Sequence, residues 1–133
     1  MPDLGLRWPN AERLTVSWLR ERTNATVYTE TEDDLDEVAA RTGVLVVHRA
    51  GGSAGPGLDK DVDVEVLAYA AGRAGLWALV ADVETAMADL AGDGTADGYV
   101  DEVDEAFSFA QEPYATPGIR RAAATYSLTF RPL

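Results

Sequence analysis

The sequence predicts an α+β fold, in which a mainly antiparallel sheet of about four to five strands packs against a long helix and an N-terminal helix. Three observations indicate this class. Strand patterns arranged as hairpins precede and follow one long helical pattern. The apolar content of 47% is ordinary for a globular protein. A length of 133 residues suits one domain with its own core, so we expect a single domain over 1–133.

The first third of the chain predicts two helices and one strand. Asn10 is a suitable N-cap for a helix over 11–22. The composition of 25–29 favours a short strand. Six acids fall within the first eight residues of 30–41, beside a narrow apolar stripe, which predicts a short exposed helix that ends at Gly43.

A long hairpin is predicted next. The β-branched run 44–49 is apolar on both faces at its start, which is typical of a central strand. The segment 51–57 is too rich in glycine for regular structure, so we expect a flexible hairpin loop over 51–60. From 61 to 69 apolar and acidic residues alternate, as in a strand with one buried face.

The strongest helical pattern covers 73–90 and ends before Gly92. Its apolar residues recur at helical spacing and are expected in the core; they are Leu76, Leu79, Val80, Val83, Met87 and Leu90. A turn over 93–98 and a long strand over 99–109 follow, and the segment 113–118 interrupts the strand pattern.

The last fourteen residues predict another strand. Its apolar residues alternate with hydroxyl residues at strict period two; the apolar ones are Ala124, Tyr126, Leu128 and Phe130. A terminal strand must pair to stay ordered, so we expect this face to close the domain's own sheet against the long helix. Arg120 and Arg121, at the start of the strand, would then be fixed in direction.

The charge distribution is uneven. The net charge of −12 disfavours a surface that grips nucleic acid, because phosphate binding needs clustered Lys and Arg. No basic residue lies between Arg73 and Arg120, whereas ten acidic residues fall between Asp82 and Glu112. Such a distribution would suit basic and acidic regions that meet in neighbouring copies. The alternative is a solvated acidic face that keeps the protein soluble.

The composition excludes several kinds of chemistry. Without cysteine there are no disulfides, thiolate metal sites or cysteine nucleophiles, and a single histidine, His48, excludes a multi-histidine metal site within one chain. No apolar stretch is long enough to cross a membrane, and no signal peptide is recognisable, so we expect a soluble protein made in the cytoplasm. No pattern supports an enzyme, and we expect no cofactor.

Two loop segments resemble ligand-binding motifs. The glycine-rich loop lacks the Gly-Lys-Ser/Thr ending of a phosphate-binding loop, and Asp59 would repel phosphate. A hairpin tip that becomes ordered when it binds a partner is therefore favoured. The segment from Asp93 to Asp104 has the spacing of a calcium-binding EF-hand loop, with Thr95 and Asp97 at ligand positions and Gly98 at the sharp turn. A small calcium-binding module is therefore one alternative, and a tight Asp/Gly turn that leads into a strand is the other.

Four carboxylates recur at period two in the second strand of the hairpin: Asp59, Asp61, Asp63 and Glu65. Such a row could bind a divalent ion or supply an acid–base pair, but no histidine, lysine pair or nucleophile accompanies it. A solvated sheet face is the plain interpretation. The other is a face that lines something from which anions should be repelled.

Four segments together carry a resemblance to a known family. They are the early helix with Trp18-Leu19 and its following strand, residues 44–52, residues 61–70 with the helix that contains Trp77, and the group 99–103, 113–114 and 120–132. In order and spacing, over nearly the full length, the chain resembles the tail terminator proteins of long-tailed bacteriophages, especially those that infect actinobacteria.

The resemblance implies a structural virion protein with no enzymatic activity. Six copies would form a ring that caps the tail tube, ends tail polymerisation and joins tail to head. The tail tube protein and a head-to-tail connector protein would be its partners, and DNA would pass through the lumen without specific binding. A connector ring between portal and tail is the nearest alternative in the same assembly.

Three groups of residues follow as expected contact sites for such a ring. Arg120 and Arg121 are expected at subunit contacts. The hairpin loop is expected to contact the tube or connector through Gly51, Gly52, Gly55, Gly57 and Lys60. The row of carboxylates is expected to form an acidic lumen through Asp59, Asp61, Asp63 and Glu65.

Overall fold

The computed structural model describes residues 7–54 and 59–133. These residues form three helices and six strands. In chain order the elements are α1 (Ala11–Arg22), β1 (Thr26–Tyr28), α2 (Leu35–Arg41), β2 (Val44–Ala54), β3 (Lys60–Ala71), α3 (Gly72–Leu90), β4 (Asp93–Thr95), β5 (Gly98–Glu112) and β6 (Ile119–Phe130). Gly55 and Gly57, which were expected in the contact loop, lie outside the described residues.

The strands form one sheet in the order β1-β2-β3-β6-β5-β4. β1 runs parallel to β2, and the remaining neighbours are antiparallel. The α+β class is confirmed, but the sheet has six strands and mixed pairing instead of four to five antiparallel strands. The strands at the two edges of the sheet, β1 and β4, have three residues each. A period-two pattern needs a longer run of residues, so it does not reveal every strand of this sheet.

The strand at the end of the sequence is central to this sheet. β6 lies between β3 and β5, and it pairs with β3 in unbroken register from Lys60–Phe130 to Ala71–Ile119. Tyr126, Leu128 and Phe130 are buried in the same core cluster as α3. The predicted packing of the strand against the long helix is therefore confirmed.

The main core lies between α1, α3 and one side of the sheet, which we call the inner face. All six apolar residues predicted on the long helix are buried there. Trp18 joins the two helices, since its indole Nε1 donates a 2.7 Å hydrogen bond to the carbonyl oxygen of Ala86. Asn10 caps α1 as predicted, because its side-chain oxygen accepts from the backbone N–H of Arg13 at 3.0 Å.

The third helix, α2, packs on the opposite side of the sheet, which we call the outer face. Its apolar stripe is not exposed as predicted: Leu35 and Ala39 are buried with Val46, Tyr69 and other residues of a second cluster. Three inward-facing residues on a seven-residue helix are enough to bind it to the sheet. α2 covers only one end of the outer face, so the other end is left without a helix.

The glycine-rich segment begins as a strand. β2 continues through Gly51 and Gly52, after a register shift that follows Arg49. Both glycines have φ near +142°, a conformation that other residues rarely adopt, and a Cβ on Gly52 would lie 2.3 Å from the carbonyl oxygen of Asp61. The prediction of a loop was wrong for 51–54, because glycine here permits close pairing with β3. Among the described residues, no helix has the length and hydropathy needed to cross a membrane.

Candidate functional site

The uncovered half of the outer face is acidic, and we call it the acidic face. It comprises Asp61, Asp63 and Glu65 on β3, Thr125, Ser127 and Thr129 on β6, and Glu102 and Asp104 on β5. The strand registers arrange these residues in rows across the sheet. One row is Asp61–Thr129–Glu102, and the next is Asp63–Ser127–Asp104.

Three of the four predicted lumen residues therefore share a face, and two further carboxylates extend it. Glu102 and Asp104 could not be assigned from the sequence, because their position depends on how β5 pairs with β6. That pairing has three register shifts, between 100 and 102, 105 and 107, and 107 and 110. A count at period two along β5 therefore does not give the face of each residue. Asp59 lies one residue before β3 and is exposed.

Neighbouring strands hold two of these carboxylates in place. The hydroxyl of Thr129 donates a 2.7 Å hydrogen bond to Asp61 Oδ1. His48 Nε2 lies 2.7 Å from Glu65 Oε1, directly across the β2–β3 pair. Asp63 faces Gly51 on β2 and Ser127 on β6, so its partner on β2 has no side chain. Asp63 is thus the carboxylate of β3 with the fewest side-chain neighbours in its row.

The spacing of the acidic face does not suit a metal ion. Successive outward residues of one strand lie about 7 Å apart, and the carboxylates of β3 and β5 are separated by two strand spacings, about 10 Å. A calcium ion needs six to eight oxygens at about 2.3–2.6 Å. Within 7–54 and 59–133, no group of three or more His, Cys, Asp or Glu side chains is close enough to hold an ion.

The segment that resembles an EF-hand loop has a different conformation. β4, a two-residue turn and the start of β5 form a hairpin, in which Asp93 pairs with Val100 and Thr95 with Gly98. The side chain of Asp93 accepts from the backbone N–H of Gly94 at 2.8 Å, and the hydroxyl of Thr95 accepts from Asp97 N–H at 3.0 Å. The alternative prediction, a tight Asp/Gly turn that leads into a strand, is confirmed.

The two arginines at the start of β6 have different surroundings. Arg121 Nε lies 3.2 Å from a Glu112 carboxylate oxygen, and its guanidinium lies 5.4 Å from the ring centre of Tyr114. It also donates to the carbonyl oxygen of Pro113 at 3.3 Å. Arg120 is exposed. Arg121 is therefore held by its own chain, and Arg120 is the one whose side chain is presented to solvent.

A carboxylate on α2 fixes the loop that precedes β6. Asp36 accepts hydrogen bonds from the hydroxyls of Tyr114, at 2.5 Å, and Thr116, at 2.6 Å. The bond from Thr116, and then that from Tyr114, lower the pKa of Asp36. Burial, followed by the bond to Asp36, raises the pKa of Tyr114 to about 12. No local pattern predicts this cluster, because its members are about 80 residues apart in sequence.

The outward edge of β5 has no strand partner beyond the short β4 pairing. β4 pairs only with 98–100, so residues 101–112 lie at a free edge of the described sheet. Phe107, opposite Thr125 of β6, is 72% exposed, the greatest exposed fraction of any large apolar side chain among the described residues.

A cavity of about 640 Å³ near the N-terminus of α1 collects three cations. Arg7, Arg49 and Lys60 line it together with Trp8, and the ammonium of Lys60 lies 5.8 Å from the Trp8 ring centre. Glu12 is the carboxylate side chain in its lining, and its Oε2 accepts from the backbone N–H of Arg49 at 3.0 Å. The prediction that Lys60 belongs to a flexible loop was wrong, because Lys60 is the first residue of β3 and lines this cavity.

Comparisons with protein-family models and with curated proteins find no match to this chain. The structure presents three features that bear on function: the acidic face, the free edge of β5 and the cation-lined cavity.

Proposed function

We propose that this protein is the tail terminator of a long-tailed bacteriophage. In this proposal six copies form a ring in the virion, at the head-proximal end of the tail. The ring caps the tail tube, ends its polymerisation and gives a head-to-tail connector a surface to bind. The observation that carries the proposal is the acidic face, a broad sheet surface that α2 leaves uncovered and that presents carboxylates in rows.

The acidic face suits the wall of a channel for DNA. A duplex carries one negative charge for about every 1.7 Å of its axis, and proteins that bind it replace its counterions with Lys and Arg. Asp61, Asp63 and Glu65 oppose such binding, and the formal charge of −12 on each copy adds to this effect. A ring with this face inward would let DNA pass without adhering to the wall.

The resemblance in order and spacing of four segments supports the particular assembly. The helix with Trp18, the strand 44–49 and the strand-to-helix passage through 70 are all realised as regular elements. A ring built by contacts between different patches also suits the charge distribution, because the cations of the α1 cavity and the acids of β5 lie on different parts of the molecule.

The oligomeric state gives the first test. Native mass spectrometry of the purified protein should show six copies of the 14.2 kDa chain, a mass of about 85 kDa, and negative-stain images should show rings with a central hole. A protein that remains monomeric at micromolar concentration would contradict the proposal.

The channel is tested by reversing one charge on the acidic face. Asp63→Lys places one lysine per copy on this face and so a circle of lysines in a ring, and we expect it to retain a short labelled DNA duplex at low salt in a fluorescence anisotropy assay. Asp89→Lys makes the same change of charge on the exposed side of α3 and serves as the control. Equal DNA binding by the two variants would place the acidic face outside the channel.

A further inference from the structure

We propose that the contact between neighbouring copies joins the free edge of β5 on one copy to the cation-lined cavity on the next. This inference rests on the ring of the proposed function and specifies which surfaces build it. The occupant of the cavity is thus a second copy of this chain, which presents Phe107 and the carboxylates Glu102 and Asp104.

The β5 edge carries charges that its own chain does not neutralise. Asp101 is engaged by Arg131, and Glu112 by Arg121. In contrast, Glu102 and Asp104 make no ion pair with the described residues of their own chain, and both are exposed. Phe107 lies opposite Thr125 of β6, on the same face as these two carboxylates. An assembly that covers its ring would remove that apolar surface from water.

The cavity has the complementary composition. Arg7, Arg49 and Lys60 form no ion pair with residues in the described part of the chain. Trp8 and Val62 add apolar surface to its lining. Three cations against the single carboxylate side chain of Glu12 leave the cavity positive in a protein that is otherwise strongly acidic. An aromatic ring flanked by carboxylates matches this combination of apolar wall and cationic rim.

The two surfaces lie on opposite faces of the sheet. Val62, in the lining of the cavity, is buried in the core of the inner face. Glu102, Asp104 and Phe107 pair with Thr129, Ser127 and Thr125, which lie on the outer face. These side chains therefore cannot enter the cavity of their own copy, whereas head-to-tail contact lets each β5 edge meet the cavity of the next copy.

Simple strand addition does not explain this edge. Three register shifts distort β5 along its pairing with β6, and such bulges, with charges on the edge, prevent indiscriminate pairing with other strands. The contact is therefore made by side chains. Glu102 and Asp104 form the β5 border of the acidic face, and the contact covers that border. Asp61, Asp63 and Glu65 lie two strand spacings away on β3, so this part of the acidic face remains to line the channel.

Two charge-reversed variants, prepared separately and then mixed, test this contact. One carries Glu102→Lys with Asp104→Lys, and so has cations on both surfaces. The other carries Arg49→Glu with Lys60→Glu, and so has anions on both. We expect each variant alone to require at least about tenfold higher concentration than the wild type to form rings. When the variants are mixed, opposite charges meet at every contact, and rings that contain equal numbers of both should form.

One variant is labelled with heavy isotopes, so that native mass spectrometry can count the copies of each variant in the mixed rings. Circular dichroism verifies that each variant is folded. Phe107→Ser should weaken the wild-type ring by a similar factor, whereas Asp89→Lys on α3 should leave it unchanged. Rings that form normally from either variant alone, or variants that fail to assemble when mixed, would overturn the assigned contact. A wild type that forms no ring would instead contradict the proposed function.

If the cavity binds another kind of partner, the results differ in a defined way. Arg49→Glu with Lys60→Glu would then leave ring formation unchanged and abolish binding to that partner, a DNA duplex being the one to assay first. That outcome would also overturn the assignment of the cavity to a second copy.

Discussion

The hydrogen bonds that Asp36 accepts lead to a quantitative prediction for Asp36→Asn. The carboxylate receives two short bonds, from Tyr114 and Thr116, and these join α2 to the loop before β6. A hydrogen bond to a charged group contributes about 1.5–3 kcal/mol, against about 0.5–1.5 kcal/mol for a neutral one. Because Asp36 is half-exposed, solvent reduces this difference, and we expect a total loss of about 2 kcal/mol at pH 7.

The pH dependence of stability gives an independent signature. The folded-state pKa of Asp36 is lowered by the bonds from Thr116 and Tyr114, whereas an unfolded aspartate titrates near 3.9. The stabilisation is therefore complete above about pH 5, and it is lost as the pH falls through the folded-state pKa. In Asp36→Asn this part of the acid destabilisation should be missing, so the stability curves of variant and wild type should converge at low pH.

Urea unfolding followed by circular dichroism, repeated from pH 7 down to pH 3, measures the loss of stability and its dependence on pH. In thermal unfolding at pH 7, a loss of about 2 kcal/mol should lower Tm by about 6–10 °C in a chain of this size. Asp33→Asn, at an exposed position just before α2, is the matched control and should change stability by less than about 0.5 kcal/mol. If Asp36→Asn is no more destabilising than Asp33→Asn, or shows the same acid slope as the wild type, the reasoning is refuted.

Three further substitutions test the packing. Leu128→Ala removes a fully buried side chain of β6 and should cost about 2–5 kcal/mol in urea unfolding. Gly52→Ala should destabilise the protein by clearly more than Gly51→Ala, because both glycines have positive φ but only a Cβ at 52 would meet the β3 backbone; equal losses would contradict the close pairing. Trp18→Phe should cost about 1–2 kcal/mol, since it leaves the Ala86 carbonyl without its buried donor.

Periodic patterns in the sequence predicted the elements that bury one side against the core. The long helix and β6 were located closely, because their apolar residues recur at the spacing of a helix or of a strand over many positions. The helix over 11–22 was identified from its cap and its apolar stripe. The glycine segment was misassigned because a composition rule treats Gly51 and Gly52 as loop residues, although a strand can use glycine for close approach.

The candidate site was only partly predictable for a related reason. A row such as Asp63–Ser127–Asp104 joins residues from three strands, and only the sheet register brings them together. The position of Asp63 on this face could be predicted from the sequence, because the alternation of residues within one strand is a local pattern. The cation-lined cavity also has distant members, Arg7, Arg49 and Lys60. Their proximity depends on how α1 lies across the sheet, which no local pattern specifies.

The oligomeric state of the purified protein tests the central claim most directly. Native mass spectrometry at micromolar concentration should give a single assembly of six chains, each of 14.2 kDa. A predominant monomer across that range of concentrations would contradict the proposal that the protein is a ring-forming tail terminator.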